Sequence, residues 1–506
     1  MSFFARPTRL RLWQVPTLTA ACVLGLSIVL PQDAQALPVF ARQTGQNCVS
    51  CHAGGQFPEL TPYGRLFKLT GYTIGARTLP FAVMGVIGDA KVANTGKSDN
   101  PGSAAGSDFE KNAKPVLSSA SLFIAGKIRD NIGLFSQITY DNYASEGSNA
   151  DGSANGHYHG HSSADNVDLR FADRFIDAKS DLIYGLSLNN NPSVTDVWNT
   201  AAAWMQYVPV AGLGSHQFAD ANTPFPSFDA HSTALAGINA YAYWNKTYYG
   251  EVGFYGTAKG AARPLSWGTP TADLQYLKGF NNPYWRLAYT REWGAHNLML
   301  GTTGMLAHVY TPGYDLSDSN SLGSVRNVGV DAQYQYLLDP HTVTVQVAFM
   351  REKQVHSANE MADAPASYPL ADGTSGAPPS SSDTDNIFRA KASYVYQAKY
   401  GGSLAFFNKS GSTNTLNQTA GYDTSNPGVI TCDNSNGPCQ VGGNLSGNPG
   451  TRGMTYEAFW TPLQYVRVGI QYTAYSKFNG ASSNYNGFGR NASDNNTLYG
   501  YVWFAY

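Results

Sequence analysis

Charge is scarce in this chain. Only 13% of its 506 residues are Asp, Glu, Lys or Arg, about half the density of a soluble domain. Long apolar runs do not make up the difference. Mean hydropathy is −0.28, and a run of about 18 apolar residues, as a membrane helix needs, is missing beyond the N-terminus. A bundle of transmembrane helices is thereby excluded. A basic excess is missing too: 33 Lys and Arg stand against 35 Asp and Glu, so the chain carries no nucleic-acid signature. What is abundant is Gly (52 residues), with aromatics at 13%, alongside Tyr, Thr, Ser and Asn. That composition predicts many short strands joined by turns. Length alone allows two to four domains.

The N-terminus has the form of an export signal. Arg6, Arg9 and Arg11 make a positive segment, Leu18 to Leu30 an apolar one, and Ala34-Gln35-Ala36 a small-x-small cleavage site. The expected signal peptide is 1–36, with the mature chain starting at Leu37. A retained membrane anchor is the competing reading, but the apolar part is short for a span. Cys22 lies inside the signal.

The other four cysteines sort into two pairs. Cys48-Val49-Ser50-Cys51-His52 is a C-x-x-C-H motif, the attachment pattern of c-type haem. Two thiols at this spacing can add to the two haem vinyl groups, and the adjacent imidazole can reach the iron as proximal ligand. A thioredoxin-like pair or half a zinc site explains neither the His nor the missing second C-x-x-C. Export fits as well, since covalent attachment occurs outside the cytoplasm. Cys432 and Cys439 stand with six residues between them in a Gly/Asn/Ser loop, where a disulfide is the expected state outside the cytoplasm.

The segment 37–78 is too short to bury a core of its own. It holds no methionine, and no histidine besides His52, so a distal iron ligand must come from elsewhere. The segment is expected to dock on, or inside, the rest of the chain.

Residues 79–506 read as a transmembrane β-barrel. Val328, Val330, Ala332, Tyr334 and Tyr336 alternate with Gly329, Asp331, Gln333 and Gln335. The same period of two runs through 343–350, 388–396 and 466–472. Segments of about ten residues, apolar outward and polar inward, are the barrel signal. Short turns at Arg129-Asp130, Asn245-Lys246, Asp339-Pro340 and Thr461-Pro462 alternate with long polar loops at 94–114, 143–164, 190–233, 355–384 and 411–451. One strand near 81–92, seven short-turn hairpins and a last strand near 495–505 make sixteen strands. An even count with both termini on the short-turn side is the pattern of bacterial outer-membrane barrels, whose short turns face the periplasm. Tyr241, Tyr243, Trp244, Trp285, Phe504 and Tyr506 are expected in interface girdles. A soluble secreted β-protein would not explain the loop alternation. The fold expected is therefore all-β: a 16-stranded antiparallel outer-membrane barrel, its lumen plugged by a small N-terminal c-type haem segment.

Two stretches carry a family resemblance. Phe40-Ala41-Arg42-Gln43-Thr44-Gly45, the C-x-x-C-H motif and 57–72 (Phe57-Pro58-Glu59-Leu60-Thr61-Pro62-Tyr63-Gly64-Arg65-Leu66-Phe67-Lys68-Leu69-Thr70-Gly71-Tyr72) resemble the fused monohaem cytochrome–porins, which include outer-membrane iron-oxidising cytochromes. The stretch 189–200, Asn-Asn-Asn-Pro-Ser-Val-Thr-Asp-Val-Trp-Asn-Thr, is similar to that family too. The resemblance is specific over roughly 40–200 and architectural beyond. Gly54-Gly55 after His52, and Tyr506 where barrels usually end in Phe, depart from the pattern. The resemblance implies electron transfer from extracellular Fe(II), through one covalent haem c in the barrel, to a periplasmic cytochrome or copper protein. A haem-plugged transport porin and electron export to an extracellular acceptor are the alternatives.

Candidate residues follow. Cys48 and Cys51 would tether the haem and His52 ligate it. The Pro58 carbonyl could accept the His52 ring N–H, or Pro58 could be a turn proline. Arg65 and Lys68 could pair with haem propionates, or with lumen carboxylates and water. Alternation puts Met299, Met305 and Met350 toward the lumen, and Met205 lies in a loop able to fold inward; these four are the distal-ligand candidates, packing being the plainer reading of each. Met84 shares no face with Asp89 and Lys91 and is expected to meet lipid. Methionine ligation would raise the haem potential, as an Fe(II) donor requires. His157, His159 and His161 alternate in an outer loop and could present three imidazoles to a metal; incidental loop histidines are the plainer reading. Lumen carboxylates Asp168, Glu251 and Asp331 could draw cations inward, or pair with Arg170, Arg286, Arg389 or Arg467.

Overall fold

The computed structural model describes residues 38–55, 59–94, 115–148, 154–200, 235–270, 276–311, 315–364, 379–414, 446–485 and 489–506, with the side chains of 141–148 and 154–158 left aside. The expected signal peptide therefore lies outside the described residues.

Sixteen strands form one closed antiparallel sheet. They are β1 Phe81–Val92, β2 Val116–Arg129, β3 Ile132–Ser148, β4 Ala154–Ile176, β5 Asp181–Asn189, β6 Leu235–Trp244, β7 Tyr248–Thr257, β8 Asn282–Trp293, β9 His296–Tyr310, β10 Leu322–Leu338, β11 His341–Val355, β12 Ser382–Tyr396, β13 Tyr400–Gly411, β14 Thr451–Leu463, β15 Val466–Lys477 and β16 Thr497–Ala505. Each pairs with the next, and β16 closes on β1 from Met84↔Ala505 to Val92↔Thr497. Closure leaves no edge strand to pair with another chain. Seven short turns sit at one end with both termini of the barrel. At the β6–β7 turn Asn245 and Lys246 both take φ 51°, the left-handed pair a tight hairpin needs.

Alternation sorts the side chains inside out. Ile238, Val252 and Val330 point outward and are more than half exposed, whereas Asn239, Glu251, Arg286, Gln333 and Arg389 point inward and are fully buried. Aromatics crowd the outer face at the short-turn end: Trp244, Tyr248, Trp293, Tyr396, Tyr400, Trp460 and Phe504 are all exposed. An apolar exterior with aromatic girdles over a polar interior is the arrangement of a barrel that meets lipid. No described helix is long and apolar enough to cross a membrane.

Three local expectations are corrected. Residues 143–148 and 154–164 are not loop but ladder, with His159 opposite Ser145 and His161 opposite Asp141. Tyr241 and Tyr243 are not girdle residues: they share the parity of Asn239, and Tyr241 is buried. Met84 does not face lipid. Ala82, Val86, Ala90 and Val92 are the buried face of β1, and Met84 lies on that face. Asp89 and Lys91 stand near the long-loop end of β1, where an outward charge reaches past the apolar band to water, so they do not mark the lumen.

The lumen is filled from both ends. From the short-turn end come the helices Pro38–Thr44, Cys48–Cys51 and Pro62–Leu69. Their hydrogen bonds go to the inner wall all round the barrel: Gln43 Oε1 accepts from Lys127 N at 2.9 Å, Tyr72 Oη donates to Asp168 at 2.6 Å, Gln335 Nε2 donates to Leu60 O at 3.2 Å, and Lys391 pairs with Glu59 at 2.7 Å. Val39 packs on Ala82, Phe123 and Ala125; Leu69 packs on Ile183, Trp198, Tyr241 and Met299. Each such side chain contributes about 1.5–3 kcal/mol by leaving water. A segment too short to bury its own core thus uses the barrel wall as its core.

The second filling is the stretch after β5. Residues 189–200 turn inward, and a short helix, Pro192–Thr195, is capped by Asn191, whose side chain accepts from Val194 N at 2.8 Å. Asp196 and Trp198 are buried. Gln333 Nε2 donates to Trp198 O at 3.1 Å, Arg389 donates to Thr200 O at 3.3 Å, and Thr200 Oγ1 donates to Asp331. The stretch thereby spans from β5 to β12 across the lumen.

Candidate functional site

The C-x-x-C-H turn is built tightly. His52 N donates to Cys48 O at 2.8 Å, Thr61 N to Cys51 O at 2.9 Å, and Ala53 N to Glu59 O at 2.9 Å. Thr61 Oγ1 donates to Ser50 O at 2.5 Å and accepts from Gly64 N at 3.1 Å, so one hydroxyl caps the helix Pro62–Leu69 and ties it to the turn. Pro62 occupies the first helical position, where its missing N–H costs nothing. Gly64 is required by proximity: a Cβ there would sit 2.1 Å from Cys51 O. Gly54 and Gly55, a departure in the sequence, take φ 59° and 73°, which favours glycine. A Cβ on Gly54 would lie 2.8 Å from Val395 on β12.

Cys48, Cys51 and His52 all line one cavity of about 460 Å³ between the segment 38–72 and the barrel wall. Phe40, Phe67, Val86, Phe123, Phe135 and Trp503 give it an apolar side, and Ser119, Ser121, Gln137, Thr139 and Asn166 a polar side. Ser193, Val194 and Asn199 of the inward-folded stretch also line it. The size lies in the range of small-molecule and cofactor sites, which are mostly apolar with a few placed polar groups. Two thiols and an imidazole at haem c spacing, facing one such cavity, fit a covalently bound haem. Burial pushes the Cys51 thiol up to about 11, so as a free thiol it stays protonated.

Lys68 reaches the same cavity. Its Nζ donates to Asp196 O at 3.2 Å. Burial, and then the nearby Arg170 charge, lower its pKa to about 8 against the pull of Asp168, Asp196 and Glu251. Arg65 goes elsewhere: its guanidinium donates to Leu60 O at 2.7 Å, Asn297 Oδ1 at 2.7 Å and Gln335 Oε1 at 3.1 Å. It anchors the segment to β9 and β10 and is not among the cavity residues.

The lumen methionines are inward-facing as expected but do not line this cavity. Met299 packs with Leu69 and Trp198, near Arg286 Nη2 at 4.0 Å. Met305 and Met350 belong to a cluster with Leu235, Tyr255 and Tyr284. Pro58, Met205, Cys432 and Cys439 lie outside the described residues. His159 and His161 are exposed on β4, and the His157 side chain is not described. Among the described residues no group of three His, Cys, Asp or Glu side chains is arranged to hold a metal ion. The lumen carboxylates are paired: Asp168 with Arg170 at 2.6 Å, Asp331 with Arg286 Nη2 at 2.7 Å, and Glu251 with Asn239 and Tyr249 at 2.6 and 2.7 Å.

Sequence reasoning put Met84 on the lipid side and missed the wall aromatics Phe123, Phe135 and Trp503. It singled out 189–200 and a 190–233 loop able to fold inward, but not the place of Ser193, Val194 and Asn199 in the cavity lining.

No protein-family model and no curated protein matches the chain. Among solved structures it is similar to OprB of Pseudomonas putida (9% identity, 84% of this chain and 93% of that one, TM-score 0.42). It is also similar to the outer membrane channel DcaP of Acinetobacter baumannii (10%, 84% and 96%, TM-score 0.39) and to OmpF of Salmonella typhi in complex with daunomycin (8%, 84% and 97%, TM-score 0.39).

Proposed function

We propose that this protein is an outer-membrane electron-transfer cytochrome: a sixteen-stranded barrel, termini toward the periplasm, that holds one covalent haem c in its lumen and passes electrons from an extracellular donor to a periplasmic carrier. The observation that carries the reading is that Cys48, Cys51 and His52 line one apolar cavity inside a barrel filled from both ends. The outward apolar band and girdles support the lipid setting.

The roles divide as follows. Cys48 and Cys51 supply the tethering sulfurs and His52 the proximal nitrogen. Bound haem would supply a one-electron iron couple whose potential depends on the second ligand and on burial. Phe40, Phe67, Phe123, Phe135 and Trp503 exclude water from it, and residues 191–200 roof it. Lys68 offers positive charge beside the cavity, which favours the reduced state and suits propionate pairing. The bilayer core, about 30 Å thick, separates an outside donor from inside carriers, and a redox centre within the barrel bridges part of that gap. Aqueous Fe(II), a one-electron donor that leaves as Fe(III), suits a single-haem relay.

The test is covalent haem content of the purified outer-membrane protein, then anaerobic mixing of the oxidised protein with Fe(II). Rapid reduction of the haem band is expected. Haem without reduction by Fe(II) removes iron as donor; absence of covalent haem removes the cytochrome reading.

A transport porin is the competing reading, and the architecture favours it in one respect, because sixteen strands enclose a lumen wide enough for an aqueous channel. The filled lumen and its paired carboxylates speak against free passage. Planar-bilayer conductance separates the two readings.

A further inference from the structure

We propose that Met84, on the first strand of the barrel wall, is the distal ligand of the iron, so that the haem is held between two separate parts of the fold: His52 from the plug and a thioether from the wall. The proposal rests on the haem reading above.

Cys48, Cys51 and His52 share the lining of the cavity with residues of β1, β2, β3, β4 and β16. A group tethered by Cys48 and Cys51 and ligated by His52 would meet the rest of that lining. The lining has few groups able to bind iron. Tyr72 Oη donates to Asp168 at 2.6 Å. Lys68 Nζ is turned to Asp196 O at 3.2 Å. Asp165 accepts from Thr139 Oγ1 at 2.9 Å. Among the described residues His52 is the cavity's one histidine, and Met84 its one methionine. Met299, Met305 and Met350 pack in other clusters, Met205 lies outside the described residues, and Met84 is half-buried against the cluster of Val39, Ala82, Phe123 and Ala125. A thioether is a soft, unbranched ligand that can reorient into an apolar cavity at low cost. Methionine and histidine together are the axial pair that raises a haem potential, in the direction an Fe(II) donor demands.

A consequence follows for assembly. The ligand pair would cross-link plug to wall, so closing the barrel around the segment would complete the iron site. Met84 is opposite Ala505 and Ser121 in the two ladders that flank it, and small neighbours there leave its side chain room to move.

The experiment compares the full-length holoprotein with Met84→Leu, Met84→His and Met299→Leu, all checked first for covalent haem. The unmodified ferric protein should show the weak sulfur-to-iron charge-transfer band and a sulfur in the iron's first shell by X-ray absorption. Met84→Leu should keep the haem, lose the band, bind cyanide faster and fall in midpoint potential. Met84→His should give a low-spin bis-histidine spectrum. Met299→Leu should change none of these. A first shell without sulfur in the unmodified protein overturns the proposal even if the variants fail to fold, and so does a Met84→Leu spectrum identical to the parent. Absence of covalent haem from the parent is a separate result, the failure of the reading on which the proposal rests.

Discussion

Tyr72 Oη donates to Asp168 Oδ2 at 2.6 Å, and both groups are buried. The bond joins the end of the plug segment to β4, where Asp168 also accepts from Arg170 and, at 2.7 Å, from Ser187. Phe40 stacks on Tyr72 with ring centroids 5.5 Å apart. One phenol thus holds plug to wall and supports a cavity residue. Tyr72→Phe keeps the ring and removes the hydroxyl. It should loosen the plug by about 1–3 kcal/mol, because the carboxylate loses one of three donors in a buried site. Limited proteolysis within 38–79 should accelerate while the barrel itself stays resistant.

Arg286 is the centre of the roof. It is fully buried, pairs with Asp331 at 2.7 Å and lies 3.4 Å from Asp196. Arg286→Met would take the cation from two lumen carboxylates. Removing one partner of a buried ion pair typically costs about 3–5 kcal/mol. Thermal unfolding should shift accordingly, and Arg286→Met combined with Asp331→Asn and Asp196→Asn should recover much of the loss.

Gly64 tests the packing of the C-x-x-C-H turn, and with it the haem proposed there. A Cβ there meets Cys51 O at 2.1 Å, and backbone cannot yield as a flexible side chain can. Gly64→Ala should cut the covalent haem per barrel severalfold, with unchanged heat-modifiable migration of the barrel on gels. Haem stain against total protein measures it. Equal haem loading would mean the turn and the helix Pro62–Leu69 move apart freely.

His356, just beyond β11, gives a pH dependence. Burial alone would lower its pKa, but bonding to Asp383 at 2.8 Å and proximity to Glu360 at 3.1 Å outweigh this and raise it to about 9. A folded value above the ordinary 6.5 means the stabilisation is complete below about pH 6.5 and lost as pH rises through about 9. The effect should be on the order of 1–2 kcal/mol after solvent screening. The protection of the Ala358–Asp363 amides, corrected for base-catalysed intrinsic exchange, should fall between pH 7 and 10, and His356→Asn should flatten that profile.

The strands were the most legible part of the sequence. A wall with lipid on one side and polar lumen on the other forces period two, so Val328–Tyr336 showed its faces directly, and the sixteen-strand count followed from seven short turns. Where that constraint lapses, legibility lapses. Residues 154–164 look like loop because they are rich in Gly, Ser and His and show no apolar–polar alternation, and only the ladder to β3 reveals a strand. Met84 sits on the lumen face although its parity opposes that of Asp89 and Lys91, because charges near a strand's outer end can point to water. The C-x-x-C-H site was legible because its spacing is local. The cavity wall was not: Phe123, Phe135 and Trp503 join it through barrel closure, and the inward fold expected of the loop after β5 did not say which of its residues would reach the cavity. Arg65 illustrates the same limit, since a cation in the right helix spends its donors on Asn297 and Gln335, more than two hundred residues away in sequence.

A barrel that carries electrons while blocking solutes can be assayed in sealed vesicles holding the purified full-length protein, with oxidised cytochrome c trapped inside, a membrane-impermeant one-electron reductant outside, and ion conductance recorded in parallel. The trapped cytochrome should be reduced with conductance at the level of protein-free vesicles, and reduction should be lost in the Cys48→Ala, Cys51→Ala protein. Open-channel conductance, or a trapped cytochrome that stays oxidised, would contradict the proposed function.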